Sequence, residues 1–476
     1  MLAAFHNLGC KVNAYETERM IQAFKEAGHT ITDFDKISDV YIVNTCTVTN
    51  IADRKSRQML HRARALNPGA VVVACGCFAE AEKEKAEKDG AIDILVSNRE
   101  KKNIVRIVED YIYGKEEKDT AAYAINSDVR QTKDAGTLAT YGEKETKVYI
   151  PDGDEPDDHG FLKALHGHTR AYIKIQDGCN QFCSYCIIPY ARGRIKSRPK
   201  EDIIKELNAL SENGIKEIVL TGIHLSSYGL DLKTSASYNE IAREGGYVNN
   251  GLIEVIREAS RIEGVDRIRL GSLEPRIITD EFLKAVKETG KVCPHFHLSL
   301  QSGSDSVLKR MNRHYDTREY FDKVSLIRSC FEHPAITTDV IAGFPQESEE
   351  EFLETRDFLN RVDFYEVHIF KYSRRKGTPA DRLSGQLTEK EKEKRAKLLS
   401  LDDEERRRRF RDYYTGKAEE VLFEEKKLID GEEYYTGFNR EYVKFACRSQ
   451  KDLTNMLVNG RVEAGHLNNY LCFCAD

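Results

Sequence analysis

The sequence predicts an α/β protein in three parts: an N-terminal domain built on a parallel sheet, a central partial (β/α)6 barrel, and a small C-terminal β-barrel. Three observations carry this reading. Apolar strand, sharp turn and polar helix alternate four times before Gly114. Six further strands with intervening helices lie between Arg170 and Arg411, too few to close an eight-stranded barrel. After Asp412 the helical pattern stops and short β-rich runs separated by turn residues take over. The expected boundaries are a sheet domain at 1–114, a linker at 115–168, the partial barrel at 169–411 and the small barrel at 412–476.

In the first part, strands are expected at Leu2–Leu8, Val40–Asn44, Ala70–Ala74 and Ile92–Val96. Helices are expected near Tyr15–Glu26, Ala52–Ala65, Ala79–Lys88 and Lys101–Tyr113. From Gly114 to about His168 the chain is polar, with Asp152, Asp154, Asp157 and Asp158 clustered, which reads as a linker with a hairpin. The barrel strands are expected at Ala171–Gln176, Glu217–Thr221, Arg267–Leu270, His295–Leu300, Ile336–Ile341 and Tyr365–Phe370. Lys233–Asn250 reads as a polar loop insertion, and Thr388–Arg411 as a long charged helix. The final strands are expected at Lys417–Phe423, Glu433–Phe438, Tyr442–Ala446, Arg461–Ala464 and Tyr470–Phe473, with Asp430-Gly431 and Asn459-Gly460 as turns.

Composition narrows the class of function. At 476 residues, 40% hydrophobic and 32% charged, the chain is ordinary for a globular protein. No run of 18 apolar residues and no signal-peptide pattern occurs, so the expectation is a cytoplasmic protein without a membrane segment. In that compartment 12 cysteines point to metal or redox chemistry rather than a disulfide framework. A net charge of −6 argues against a uniformly basic nucleic-acid binder and leaves room for local basic patches.

Directly after the first barrel strand, Gly178-Cys179-Asn180-Gln181-Phe182-Cys183-Ser184-Tyr185-Cys186 spaces three thiols as C-x3-C-x2-C. A cubane iron–sulfur cluster takes four cysteines, so three leave one iron open to a ligand. Zinc sites more often show a second cysteine pair nearby, and none follows. Cys10, Cys46 and Cys77 lie at equivalent points of successive N-terminal β/α units, each just past a strand and before a helix. The C-termini of parallel strands share one edge, so these thiols can converge on a second cluster; three separate buried thiols are the plainer alternative. Cys75 competes with Cys77 for the third position, but it still ends the strand, whereas Cys77 follows a glycine, as Cys10 does. Cys447, Cys472 and Cys474 carry no placement argument.

The C-x3-C-x2-C motif and its six β/α units resemble the radical S-adenosylmethionine superfamily. Leu220-Thr221-Gly222-Ile223, Leu298-Ser299-Leu300-Gln301-Ser302-Gly303-Ser304, Met311-Asn312-Arg313-His314-Tyr315 and Asp339-Val340-Ile341-Ala342-Gly343-Phe344-Pro345 follow in the order expected there. The three N-terminal cysteines and the C-terminal barrel make nearly the whole chain similar to the methylthiotransferases. That resemblance implies two 4Fe-4S clusters, one on Cys10, Cys46 and Cys77 and one on Cys179, Cys183 and Cys186. It implies S-adenosylmethionine bound near Thr221, Gly222, Ser302, Arg313, Asp339 and Gly343. It further implies an RNA-contacting TRAM domain, a tRNA substrate, an electron-donor protein and a sulfur source.

Within the family, Gly9-Cys10-Lys11-Val12-Asn13-Ala14-Tyr15-Glu16-Thr17-Glu18 looks like the branch acting on threonylcarbamoyl-adenosine at tRNA position 37. Leu220-Thr221-Gly222-Ile223-His224 and Phe370–Thr378 agree with it. The alternatives are the branches acting on isopentenyl-adenosine or on a ribosomal-protein aspartate, and a non-catalytic iron–sulfur RNA-binding protein. A cobalamin enzyme would need a D-x-H-x-x-G element, and none occurs in Met1–Gly114. The segment from Asp412 carries 8 Lys/Arg against 12 Asp/Glu, so it is not a basic clamp. Candidate phosphate contacts are Arg192, Arg194, Lys196 and Arg198, with Arg374, Arg375 and Lys376.

Overall fold

The structure is a computed structural model and describes residues 1–123, 146–150, 161–165, 168–232 and 249–476. The Asp152–Asp158 cluster and most of the Lys233–Asn250 insertion lie outside the described residues. The chain divides into two compact units, Met1–Phe161 with Tyr190–Arg192, and Leu162–Pro189 with Gly193–Asp476.

The first unit is a parallel sheet in the order β2-β1-β3-β4-β5-β6, with β1 Leu2–Asn7, β2 Thr30–Thr32, β3 Val40–Thr45, β4 Val71–Gly76, β5 Ile94–Val96 and β6 Lys147–Tyr149. Its helices are α1 Lys11–Glu26, α2 Asn50–Leu66, α3 Cys77–Ala81, α4 Lys83–Glu87 and α5 Ile104–Tyr123. Apolar residues alternate to both faces: Tyr41, Val43, Val72 and Ala74 pack on one side, and Val40, Ile42, Val73 and Ile94 on the other. Two strands depart from the expectation. β2 is short and half exposed, with no apolar run to mark it. β6 pairs in parallel with β5 from inside the segment expected to be linker, so the sheet domain extends past Gly114.

In the second unit, β7 Arg170–Asp177, β8 Lys196–Ser197, β9 Glu217–Gly222 and β10 Arg267–Leu270 form one sheet in the order β10-β9-β7-β8. β11 His295–His297, β12 Ala335–Ala342 and β13 Glu366–Lys371 form another. Parallel bridges at Ile268–Val292 and Leu273–Leu298 join the two sheets into one open, partial barrel. After α6 Ile188–Arg192, whose last three residues belong to the first unit, the barrel is surrounded by α7 Lys200–Glu212, α8 Asn250–Arg261, α9 Asp280–Glu288, α10 Asp305–Arg310, α11 Thr317–Cys330, α12 Glu349–Val362 and α13 Glu389–Asp412. α13 starts where expected because Thr388 and Glu391 form a reciprocal capping box.

The C-terminal segment closes as a five-stranded barrel, β14 Ala418–Ile429, β15 Glu432–Phe438, β16 Lys444–Cys447, β17 Met456–Leu467 and β18 Tyr470–Ala475. The Asp430-Gly431 turn stands, both residues having positive φ. Asn459-Gly460 is not a turn; it lies within β17, paired with β14 and β18. Buried charges tie this barrel to the N-terminal ends of the larger barrel's strands. Arg267 Nη1 donates to the Phe438 carbonyl at 2.8 Å, and Arg269 donates to the Asn439 and Arg440 carbonyls at 2.7 Å each. Burial alone would raise the Glu217 carboxyl, but Arg269 and Arg170 hold it down at about 2.

Candidate functional site

In the first unit the three cysteines follow three adjacent strands, β1, β3 and β4, at their C-terminal ends. Cys10 is the N-cap of α1, Cys46 sits in the loop before α2, and Cys77 opens α3. Their sulfurs lie within electrostatic reach of one another. The loops meet closely: a Cβ on Gly9 would sit 2.9 Å from Cys46 Sγ, and Gly9 holds a φ of +103°. Gly76, at φ +97°, brings Cys77 over β3, where a Cβ would strike the Thr45 carbonyl at 2.5 Å. Only glycine satisfies both demands. Burial raises the Cys46 thiol to about 11, so a thiolate there needs a compensating cation, which cluster iron supplies. The donor set fits a cluster.

Cys75 faces elsewhere. It is fully buried with Ile42, Ile94 and Val96, its Sγ 3.6 Å from the Val43 carbonyl. Replacing Cys75 by Ala should therefore leave iron content unchanged, whereas Cys77→Ala should remove the N-terminal cluster. Iron and sulfide analysis of the two reconstituted variants checks this, and the reverse pattern overturns it.

Polar residues beneath the cysteines hold their loops together. Asn13 Nδ2 donates to the Leu8 and Thr45 carbonyls at 2.7 and 3.0 Å, linking the loops that carry Cys10 and Cys46. Ser56 of α2 brackets Cys46, accepting from its N–H at 3.2 Å and donating to its carbonyl at 3.0 Å. Arg192, which packs with this unit, donates to both carboxylate oxygens of Glu16 at 2.9 and 3.1 Å and to Asn13 Oδ1 at 2.6 Å. Lys101 Nζ completes the group, 2.6 Å from Glu16. The recurrence of Cys10, Asn13 and Glu16 at three-residue spacing marks one face of α1, a signal the sequence carried. Nothing in the sequence pointed to Arg192 as their partner.

In the second unit, the loop after β7 carrying Cys179, Cys183 and Cys186 is pinned on both sides. Cys179 N donates to the Gly193 carbonyl at 3.1 Å, and Ser184 N to the Met311 carbonyl at 3.0 Å. Arg313 Nη1 lies 3.1 Å from Cys183 Sγ, and Arg313 Nε lies 3.0 Å from the Tyr315 hydroxyl. Burial raises the Cys179 thiol to about 11 and the Cys186 thiol to about 12, with the nearby Cys183 sulfur adding to both. This donor set also fits a cluster with an open iron position.

The other expected residues divide. Thr221 and Gly222 end β9, and the carboxamide oxygen of Gln176 would meet a Cβ on Gly222 at 2.7 Å. Ser302 faces α12, its hydroxyl 3.1 Å from that of Thr355, and the Gly343 N–H donates to Glu347 at 2.9 Å. Asp339 faces His297 at 3.2 Å. The sequence reading missed the half-buried His224 and the buried Glu274, with Nε2 and Oε2 3.9 Å apart. Glu274 lies within electrostatic reach of Cys179, and burial pushes His224 down to about 4.

Several candidate phosphate contacts are corrected by burial. Arg192 is committed to Glu16, Arg198 pairs with Glu206 at 2.6 Å, and Arg375 is buried. Arg194, Arg374 and Lys376 are exposed, and Lys196 is half-buried. Cys447 is a core residue of the small barrel, while Cys472 is half-buried and Cys474 exposed. Among the described residues no helix is long and apolar enough to cross a membrane.

A three-cysteine loop at the C-terminal end of the first strand of an open β/α barrel defines a radical S-adenosylmethionine enzyme. Comparison with known proteins agrees: residues 173–359 match the radical SAM superfamily, and residues 3–97 match the uncharacterized protein family UPF0004. The chain is 37% identical to a threonylcarbamoyladenosine tRNA methylthiotransferase of Bacillus subtilis strain 168, over 98% of this chain and 95% of that one. Its counterpart in Aquifex aeolicus is 36% identical, over 93% of this chain and 98% of that one. A tRNA-2-methylthio-N(6)-dimethylallyladenosine synthase of Acetivibrio thermocellus is 31% identical, over 97% and 88%. This chain belongs to the radical SAM methylthiotransferase family, whose members use S-adenosylmethionine and a 4Fe-4S cluster. A radical S-adenosylmethionine methyltransferase from Kitasatospora setae, TsrM, shares its fold at a TM-score of 0.54 and 18% identity, over 80% of this chain and 76% of that one.

Proposed function

We propose that this enzyme converts N6-threonylcarbamoyladenosine at tRNA position 37 to its 2-methylthio derivative. The observation that carries the reading is the near-full-length likeness to two relatives named for that activity. The Gly9–Glu18 motif supports it from within the chain. Cys179, Cys183 and Cys186 hold the cluster that meets S-adenosylmethionine, and Cys10, Cys46 and Cys77 hold a second one. When bound, the two clusters supply the electron that splits S-adenosylmethionine and the sulfur site from which the methylthio group is delivered.

The chain's own residues place these groups. Thr221 and Gly222, at the end of β9, receive the methionyl end of S-adenosylmethionine, and Arg313 holds Cys183 and carries positive charge beside it. Ser302 and Gly343 shape the same barrel through Thr355 and Glu347, while Asp339 turns toward His297. Asn13, Ser56 and Arg192 keep the second cysteine set in one arrangement. The exposed Arg194, Arg374 and Lys376 contact RNA phosphates. An electron-donor protein and a sulfur source complete the partners of a cytoplasmic reaction.

Nucleoside mass spectrometry of tRNA from cells with and without the gene tests the substrate. Deletion should remove the methylthio mark from threonylcarbamoyladenosine alone. Loss from isopentenyl-adenosine instead, or from neither, overturns the reading.

A further inference from the structure

Three neighbouring strands of the partial barrel place two imidazoles and one carboxylate around a common point. His297 ends β11, Asp339 lies within β12, and His368 lies opposite Asp339 on β13. One ring nitrogen from each histidine and one oxygen of Asp339 all lie within 4.8 Å of one another. His297 Nε2 stands 3.2 Å from Asp339 Oδ2, and the two imidazoles stack at 5.6 Å with 27° between their planes. These side chains share the inner face of the sheet. Thr338, the neighbour of Asp339 on the opposite face, sits against Tyr320 of the surrounding helix α11, so Thr337 and Asp339 point inward. Burial falls from His297, which is buried, through Asp339 to the exposed His368, so the group opens on one side.

The geometry points to a divalent metal site held by His297, Asp339 and His368, made by none of the six cluster cysteines. Two imidazoles and one carboxylate on a rigid frame form the ligand set of open sites for zinc or ferrous iron. Tetrahedral ligands at 2.0–2.2 Å stand roughly 3.4 Å from one another, close to the His297–Asp339 separation, and turning the exposed His368 ring brings in the third donor. His297 Nδ1 lies 2.9 Å from the Thr337 hydroxyl, an outer-shell contact that orients a ligating imidazole.

The charge of the site names the ligand it would take. A divalent ion with one carboxylate keeps a net charge of about +1 and at least one open position. It would therefore accept an anionic oxygen as a further ligand. Resting on the substrate reading above, that oxygen belongs to the carboxylate of the threonylcarbamoyl substituent.

The test uses the full-length enzyme, anaerobically reconstituted so that the cysteines are occupied by iron. It is equilibrated with Zn2+, desalted, and analysed for zinc and iron, with zinc-edge absorption spectroscopy on the same samples. The wild type should retain about one zinc per chain at unchanged iron, with nitrogen and oxygen neighbours near 2.0 Å. His368→Ala and Asp339→Asn should each bind zinc at least tenfold more weakly at the same iron content. No zinc in the wild type, equal zinc in the variants, or sulfur in the zinc shell overturns the site. In a second arm, an anticodon stem–loop carrying threonylcarbamoyladenosine should bind at least tenfold tighter when zinc is present, while one carrying plain adenosine should not. Equal binding of both RNAs, with zinc still bound, removes the carboxylate assignment and leaves the metal site standing.

Discussion

Replacing Cys179, Cys183 and Cys186 together by alanine should abolish formation of 5′-deoxyadenosine from S-adenosylmethionine. Anaerobically reconstituted wild type should hold about eight iron and eight sulfide ions per chain, and the triple variant about four of each. All product formation depends on this step, because no acid–base or nucleophilic group functionalises an unactivated aromatic C–H bond. The triple variant isolates the chemistry from the fold: the loop is pinned by backbone bonds from Cys179 to Gly193 and from Ser184 to Met311, neither of which needs a thiol side chain. Iron and sulfide analysis, with chromatography of the nucleoside product under dithionite, checks both halves. A triple variant that still cleaves S-adenosylmethionine refutes the assignment of this cluster.

The second large effect is expected at Arg192. Its guanidinium is buried against Glu16 and Asn13, and Arg192→Met strips both of a charge-assisted partner while keeping the volume. Removing one member of a buried pair costs about 3–5 kcal/mol. Lys101 still reaches Glu16, so the lower end, about 3 kcal/mol, is expected. That corresponds to a melting point lower by roughly 6 °C or more, with iron lost from the N-terminal site first because Asn13 also links the loops of Cys10 and Cys46. The double variant Glu16→Gln/Arg192→Met also takes the carboxylate from the buried Lys101, so it should melt below Arg192→Met. Thermal melts of the two variants under argon decide it. A double variant that melts above Arg192→Met would mean that Lys101 does not depend on Glu16.

The strands that carry chemistry were legible because each had two independent marks, an apolar run and a turn rich in glycine and cysteine. β1, β3, β4 and β7 fall within two residues of their expected ends, with Cys10, Cys46, Cys77 and Cys179 just beyond them. Where one mark was missing, the reading slipped. β2 has no apolar run, and β6 follows a long polar stretch, so neither announces itself. Asn459-Gly460 carries the residues of a turn, yet the barrel places Gly460 where an added Cβ would strike the Cys474 carbonyl. A close backbone approach demands glycine as firmly as a turn does.

Spacing along the chain was enough to establish the order of β/α units, the two cysteine sets and the class of reaction, because cluster ligation requires thiols at strand ends and strand ends follow from hydrophobic pattern. Long-range pairing of charges was beyond it. Arg192, Arg198 and Arg375 look in sequence like a basic surface for RNA, but Arg192 and Arg198 are buried against Glu16 and Glu206, and Arg375 is buried as well. The grouping of His297, Asp339 and His368 likewise arises only when β11, β12 and β13 pair in register, since 42 residues separate the first two. Local pattern reports what a segment does with its own backbone; which distant side chain meets it is decided by packing alone.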